Sequence, residues 1–384
     1  MQENENIILN ENQNDSILYI NFNQDGTCMA IGTENGFKII NVNPFLDLYY
    51  KDLKGGIGII EMLNKSNIIG LVGGGKKPKY QLNHLILYDV ENDKEISKIK
   101  VKKEILNIKL RENKIYIVNI DKIFAFDFKS LNLIDILETK NIRGLISICY
   151  KEDIVAYPDI NHEGTVKIKY NDQCKEYTLK AHKTPLNCIQ LNQDGTMIGT
   201  CSLKGKLIRV YNISNSQLIR EVRRGAESAN VNCISFDISQ KYLLVASDRK
   251  TIHLFFLMNN NINNNENQIN DNTNITLGNS VVEEVSSTSI SMNNSEDLKK
   301  KNHQNEFDNK KSIFGGMSNF LNVGKRYFNS EWSFSKFKIN SLKSIAIFGP
   351  DNSIFVSTYD GKYYQASFDP SIGGECIKIQ EEKF

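Results

Sequence analysis

The stretch INFNQDGTCMAIGT at residues 20–33 returns as IQLNQDGTMIGTCS at residues 189–202. Both contain Asn-Gln-Asp-Gly-Thr, starting at Asn23 and at Asn192, an offset of 169 residues. That offset is four units of about 42, the blade length of WD-type propellers. A third copy follows: Leu186-Asn187-Cys188-Ile189 is matched 45 residues on by Val231-Asn232-Cys233-Ile234. Each copy reads as strand, polar turn, strand, turn, strand. Asp-Gly at Asp25-Gly26 and Asp194-Gly195, set between apolar alternations, is a hairpin signal.

Outward from these copies the same rhythm continues less regularly. Residues 59–72 lead through Gly73-Gly74-Gly75 into a strand over 85–90. Three closely spaced strands are expected over 105–110, 115–118 and 123–128, and three more over 145–149, 154–157 and 166–170. A last set covers 342–348, 354–358 and 363–368. Seven groups result, with no long helical pattern outside one insertion. Radial repetition of small sheets fits this better than an α/β fold, so the expected architecture is an all-β, seven-bladed β-propeller of the WD-repeat type.

The expected layout is a polar N-terminal tail over residues 1–14 and one propeller over 15–384. An insertion over 259–335 interrupts the sixth blade. It opens asparagine-rich (NNNINNNENQINDNTN), too poor in apolar surface to fold. A basic cluster follows (Lys299, Lys300, Lys301, Lys310, Lys311), then the apolar, aromatic SIFGGMSNFLNVGKRYFNSEW.

The 384 residues carry a formal net charge of +2 and 40% hydrophobic residues. The charge balance argues against nucleic acid as a partner, which calls for a basic excess. Seven cysteines, an odd number with no Cys-x-x-Cys pair, argue against a disulfide framework or a zinc site and fit a reducing cytoplasmic setting. No signal-peptide layout opens the chain, and no apolar run approaches the ~20 residues of a membrane span, so membrane contact is expected to be peripheral. Nor is there a Gly-rich phosphate loop between strand and helix, a metal-spaced His/Cys set or a Gly-x-Ser-x-Gly. No enzyme activity, cofactor or metal is expected.

The most informative residues are Val222-Arg223-Arg224-Gly225. On a strand, adjacent side chains point to opposite faces, so Arg223 and Arg224 would serve two separate pockets. Each guanidinium fork can hold a phosphate with two parallel hydrogen bonds, and Gly225 would let the backbone turn away. A solvent-exposed arginine pair is the competing reading. Residues 181–258, however, hold ten Lys or Arg against five Asp or Glu, hence +5 where the whole chain has +2. The hydroxyls of Thr200, Ser202, Ser247 and Thr251 lie close in sequence, as do His182 and His253. Arginine, hydroxyl and a histidine that charges near neutral pH suit a multiply phosphorylated ring.

With these residues the chain resembles the PROPPIN family, also called the WIPI or autophagy-related protein 18 family, whose hallmark is Phe/Leu-Arg-Arg-Gly. Further matches are Ile60-Glu61-Met62-Leu63, residues 71–75 with Pro78 and Asn83, and Ala156-Tyr157-Pro158. Ala181-His182 with Pro185-Leu186, Thr251-Ile252-His253, and Asp369-Pro370 with Gly373-Gly374-Glu375-Cys376 also match. The resemblance implies a seven-bladed propeller that binds phosphatidylinositol 3-phosphate and phosphatidylinositol 3,5-bisphosphate. It implies a first pocket of Arg223 with His182, Thr200, Ser202 and Arg209, where Gly205 holds a turn, and a second of Arg224 with Ser247, Thr251 and His253. Val222 replaces the usual aromatic or leucine but remains apolar. Lys206 stands where the family often has threonine, which adds a charge beside the first pocket.

Within the insertion, Ile313, Phe314, Met317, Phe320, Leu321, Tyr327 and Phe328 are spaced by threes and fours, one apolar stripe if helical. Lys310, Lys311, Lys325 and Arg326 flank it, as suits a segment lying in the headgroup boundary. Gly315, Gly316 and Gly324 weaken such a helix in water, and the resemblance likewise implies a membrane-inserting loop in blade six. The expected function is a phosphoinositide-binding peripheral membrane effector. It would be cytoplasmic, would associate with autophagosomal, endosomal or vacuolar membranes, and would recruit autophagy or trafficking proteins. The alternative is a WD-type protein scaffold without lipid binding.

Overall fold

The computed structural model of the chain describes residues 15–257 and 331–384, and every regular element among them is a strand. Seven antiparallel sheets, one per sequence group, surround a channel lined by the first strand of each. Blades one to seven span residues 17–52, 57–100, 107–138, 147–180, 186–223, 231–338 and 344–383. Strand order follows the chain from channel to rim. The two Asn-Gln-Asp-Gly-Thr turns fall in blades one and five, four blades apart.

Burial explains why the blades read as they do. Second strands such as Cys28–Thr33, Met197–Ser202 and Tyr242–Ser247 are buried along their whole length, because neighbouring blades cover both faces. They therefore read as continuous small and apolar runs rather than alternations. Outermost strands such as Lys94–Lys100 and Lys175–Lys180 are largely exposed and polar. Between blades, Ile168 and Leu179 pack on Ile198 and Tyr211, and Val210 and Val222 on Leu243 and Val245. Each such side chain contributes roughly 1.5–3 kcal/mol by burial.

The repeated pentapeptide builds the same turn twice. The Asn23 carboxamide oxygen accepts the Cys28 N–H at 3.0 Å, and that of Asn192 accepts Met197 N–H at 2.9 Å. Asp25 and Asp194 accept the N–H of Thr27 and Thr196, each at 3.0 Å. Gly26 and Gly195 take φ of +71° and +72°, where a side chain would be strained.

Among the described residues no strand is shared across the ring closure. Met29, Ile31 and Ile40 of blade one pack on Phe355 and Tyr363 of blade seven, and the Tyr363 hydroxyl donates to the Val42 carbonyl at 3.0 Å. In the channel, Glu61 is 2% exposed and takes Lys109 Nζ at 3.0 Å on both oxygens and Asn21 Nδ2 at 2.5 Å.

The third strand of blade six, Thr251–Phe256, is followed by its fourth at Ser335–Lys338. The insertion, expected to run to residue 335, gives way to the fold sooner. Glu331 bridges to Val222 of blade five, and Ser333, Phe334 and Ser335 are buried. The short strand Gly374–Glu375 adds in parallel to Ser335–Lys338. The tail over 1–14 and the stripe from Ile313 to Phe328 lie outside the described residues.

Candidate functional site

Arg223 closes the outermost strand of blade five, Leu218–Arg223. Its neighbour, Leu207–Asn212, sets Arg209 opposite Glu221 and Leu207 opposite Arg223, while Thr200 lies opposite Arg209 on the other side. A period of two therefore puts Thr200, Ser202, Arg209, Glu221 and Arg223 on one face. That face looks toward blade four, since Ile198 and Tyr211 of the same face pack there.

His182, in the link between blades four and five, reaches this face. Its Nε2 lies 3.0 Å from the Thr200 hydroxyl, which itself donates to the Arg209 carbonyl at 3.2 Å. Arg209 donates from Nε to Glu221 at 2.7 Å and from Nη1 to the Ala181 carbonyl at 2.6 Å. His182, Thr200 and Arg209 are thus bonded into one cluster, and Ser202 and Arg223 share its face. The Arg223 N–H donates to the Glu331 carbonyl at 2.8 Å, which ties the pair's backbone to the return of the insertion.

Arg224 goes to the other side. Cys201, Ile208 and Val222 on that face pack against blade six. The Arg224 N–H donates to the Lys206 carbonyl and Nε to the Gly205 carbonyl, both at 2.9 Å; Nη2 donates to the Glu227 carbonyl. Gly205 takes φ +59°, and a Cβ there would stand 1.7 Å from the Ala229 carbonyl oxygen, so only glycine fits the turn that receives Arg224.

Blade six faces Arg224 with the residues expected. His253 lies opposite Val245; Thr251 and Ser247, two positions along their strands, share that face. Phe255, on the same face, stacks on His253 at 6.1 Å. The His253 Nδ1 lies 3.3 Å from the Ser333 hydroxyl. Arg223 is 8% and Arg224 5% exposed, which removes the reading as an ordinary surface pair.

Two expectations change. Burial, then the charge of Arg209, pushes the His182 pKa down to about 4. Burial, then Lys336 and Arg224, pushes His253 down to about 3. Neither imidazole charges near neutral pH; both act as neutral hydrogen-bonding groups. Gly225 is not in the left-handed region and a Cβ there would meet nothing within 4 Å, so no turn requires glycine. Ser202 and Ser247 end their strands where blades one and seven carry Thr33 and Thr358, whose hydroxyls close the next hairpin. Ser247 does related work, accepting the Arg249 N–H at 3.3 Å.

The sequence reading missed Lys336, which lies directly opposite His253. More than eighty residues separate the two, with the insertion between them. It also passed over Arg249 as a site residue, although burial and the charge of Arg249 together lower the Arg224 pKa. Lys206 offers its carbonyl to Arg224, a role any residue could fill. Each cluster thus couples a buried guanidinium to a neutral imidazole and hydroxyls, with cationic neighbours, an arrangement suited to an anion. Among the described residues no group of three His, Cys, Asp or Glu could hold a metal ion.

A family model described as PROPPIN matches residues 16–282. The chain is similar to autophagy-related protein 18 of Dictyostelium discoideum, 28% identical over 375 residues covering 96% of this chain and 93% of that one. It is 33% identical over 286 residues to SVP1-like protein 2 of Saccharomyces cerevisiae, covering 64% of each chain. The solved structure of Kluyveromyces lactis Hsv2 has the same fold, with a TM-score of 0.69 and 21% identity over 96% of this chain and 99% of that one.

Proposed function

The chain belongs to the PROPPIN family, as does the autophagy-related protein 18 group it resembles, and on that premise we propose that it binds phosphoinositide head groups at two sites on the ring, one on each side of blade five. The observation that carries this reading is the splitting of Arg223 and Arg224. Strand alternation sends one toward His182, Thr200, Ser202 and Arg209, and the other toward Ser247, Thr251 and His253. The ligands are phosphatidylinositol 3-phosphate and phosphatidylinositol 3,5-bisphosphate. Each site alone binds weakly, and two sites on one membrane convert the second event into an intramolecular one. Basic residues held near an anionic leaflet add about 1 kcal/mol each.

The apolar residues Ile313, Phe314, Met317, Phe320, Leu321, Tyr327 and Phe328 supply a third contact, lying in the headgroup boundary. The protein works without catalysis, in the cytoplasm and on autophagosomal, endosomal or vacuolar membranes, where it recruits autophagy or trafficking proteins. One observation favours a scaffold without lipid: Arg209 and Arg224 already hold carbonyls of their own chain. Flotation with liposomes containing phosphatidylinositol 3-phosphate separates the two readings. The lipid reading expects the wild type to float only with that lipid, and removal of residues 313–328 to weaken flotation while leaving soluble head group bound. A folded wild type that ignores the lipid leaves the scaffold.

A further inference from the structure

Between blades four and five, on the side of the ring that carries the links between blades, a cleft of about 100 Å³ opens to solvent. Ile142, Leu145, Pro158, Pro185, Leu186 and Leu203 line it. Ile142 is 69% and Leu203 39% exposed, so apolar surface stands at its mouth without cover from the rest of the described chain. At about 30 Å³ per water the volume equals roughly three waters, the scale of one aliphatic side chain.

The same cleft is lined by Asp159. Asp159 is 5% exposed, and its Oδ1 is buried with no hydrogen-bond partner among the described residues. A buried carboxylate oxygen left unpaired is costly and rare in folded proteins. Of the other charged residues of the cleft, Lys140 bonds Glu163 at 2.9 Å and Arg143 donates to the neutral Asn230 side chain at 3.2 Å, so neither is hydrogen-bonded to Asp159. The cleft therefore joins an open apolar socket to an acidic side chain with one oxygen unpaired among the described residues.

We propose that this cleft docks an extended segment of a partner protein, seating one aliphatic side chain and binding a neighbouring lysine or arginine through Asp159. Charge complementarity selects the cation, because an acidic or neutral neighbour would leave Asp159 repelled or still unpaired. The socket supplies the anchor and Asp159 the register. The cleft adjoins the first head-group site, since Leu203 follows Ser202 and the Gly164 carbonyl accepts the His182 N–H at 2.8 Å, but it shares no lining residue with that site, and the inference does not rest on lipid binding.

The test is a selection of phage-displayed random heptapeptides on the immobilised full chain, followed by titration of the selected peptide in synthetic form. The expected peptides carry an aliphatic residue within two positions of a lysine or arginine. Their affinity should fall about tenfold or more in Leu203→Asp and in Ile142→Asp, as for a truncated anchor pocket. Both positions are exposed, so these variants should melt like the wild type. Asp159→Asn should abolish the preference for the basic residue over glutamine at that position. The proposal is overturned if no peptide is enriched, if selected peptides bind Leu203→Asp and Ile142→Asp as well as the wild type, or if Asp159→Asn leaves the basic preference intact.

Discussion

Acidification should destabilise this propeller through His182 and His253, and the size of the effect follows from their burial. Both imidazoles are held neutral in the folded chain, at about 4 and about 3. An unfolded histidine titrates near ~6.5. Between these values the unfolded chain binds protons that the folded chain refuses, so stability rises with pH across the window and is lost as pH falls. Their contribution is intact well above pH ~6.5 and drains away below it. At about pH 5.5 the unfolded histidine is some tenfold favoured for protonation, and the folded ones are still neutral. Each then costs about 1.4 kcal/mol, or about 3 kcal/mol for the two. The assay is urea unfolding of the wild type and of His182→Gln, His253→Gln together, at about pH 7.5 and about pH 5.5. The wild type should lose about 3 kcal/mol more than the double variant over that step. Equal losses would show that the histidines titrate normally in the fold and would remove the neutral-imidazole account of both clusters.

Lys109→Met should strand the buried Glu61 carboxylate in the channel and cost about 3–5 kcal/mol in urea unfolding, with most of it recovered when Glu61→Gln is added. Lys336→Met should raise the His253 pKa from about 3, read from imidazole resonances in an NMR titration. The value should stay below ~6.5, because burial is the larger cause. Gly225→Ala should shift stability by no more than about 0.5 kcal/mol in thermal unfolding, since a Cβ there meets open space.

The ring was legible because its turns repeat. Asn23 and Asn192 close the same hairpin with the same atoms, so the sequence had to repeat where the structure does. The arginine pair was legible for the related reason that strand period is fixed, and Arg223 and Arg224 could only diverge. What sequence could not carry was distance across the insertion and the electrostatic setting. Lys336 reaches His253 only because the fourth strand of blade six returns beside the third. The neutral state of His182 depends on burial and on Arg209, a strand away. Gly225 looked conformational and is not, whereas Gly205, singled out only through the family resemblance, is the position that tolerates no side chain. Ser202 and Ser247 stand where blades one and seven carry Thr33 and Thr358, whose hydroxyls close the next hairpin, so sequence alone does not separate a ligand donor from a turn closer there.

Arg223 and Arg224, neighbours in the chain, should serve two independent head-group sites. Calorimetric titration of the soluble head group inositol 1,3-bisphosphate into the wild type, Arg223→Thr, Arg224→Thr and the double variant, each verified as folded by circular dichroism, tests it most directly. The wild type should bind two head groups, each single variant one and the double variant none. A single site on the wild type, or single variants that each abolish all binding, would contradict it.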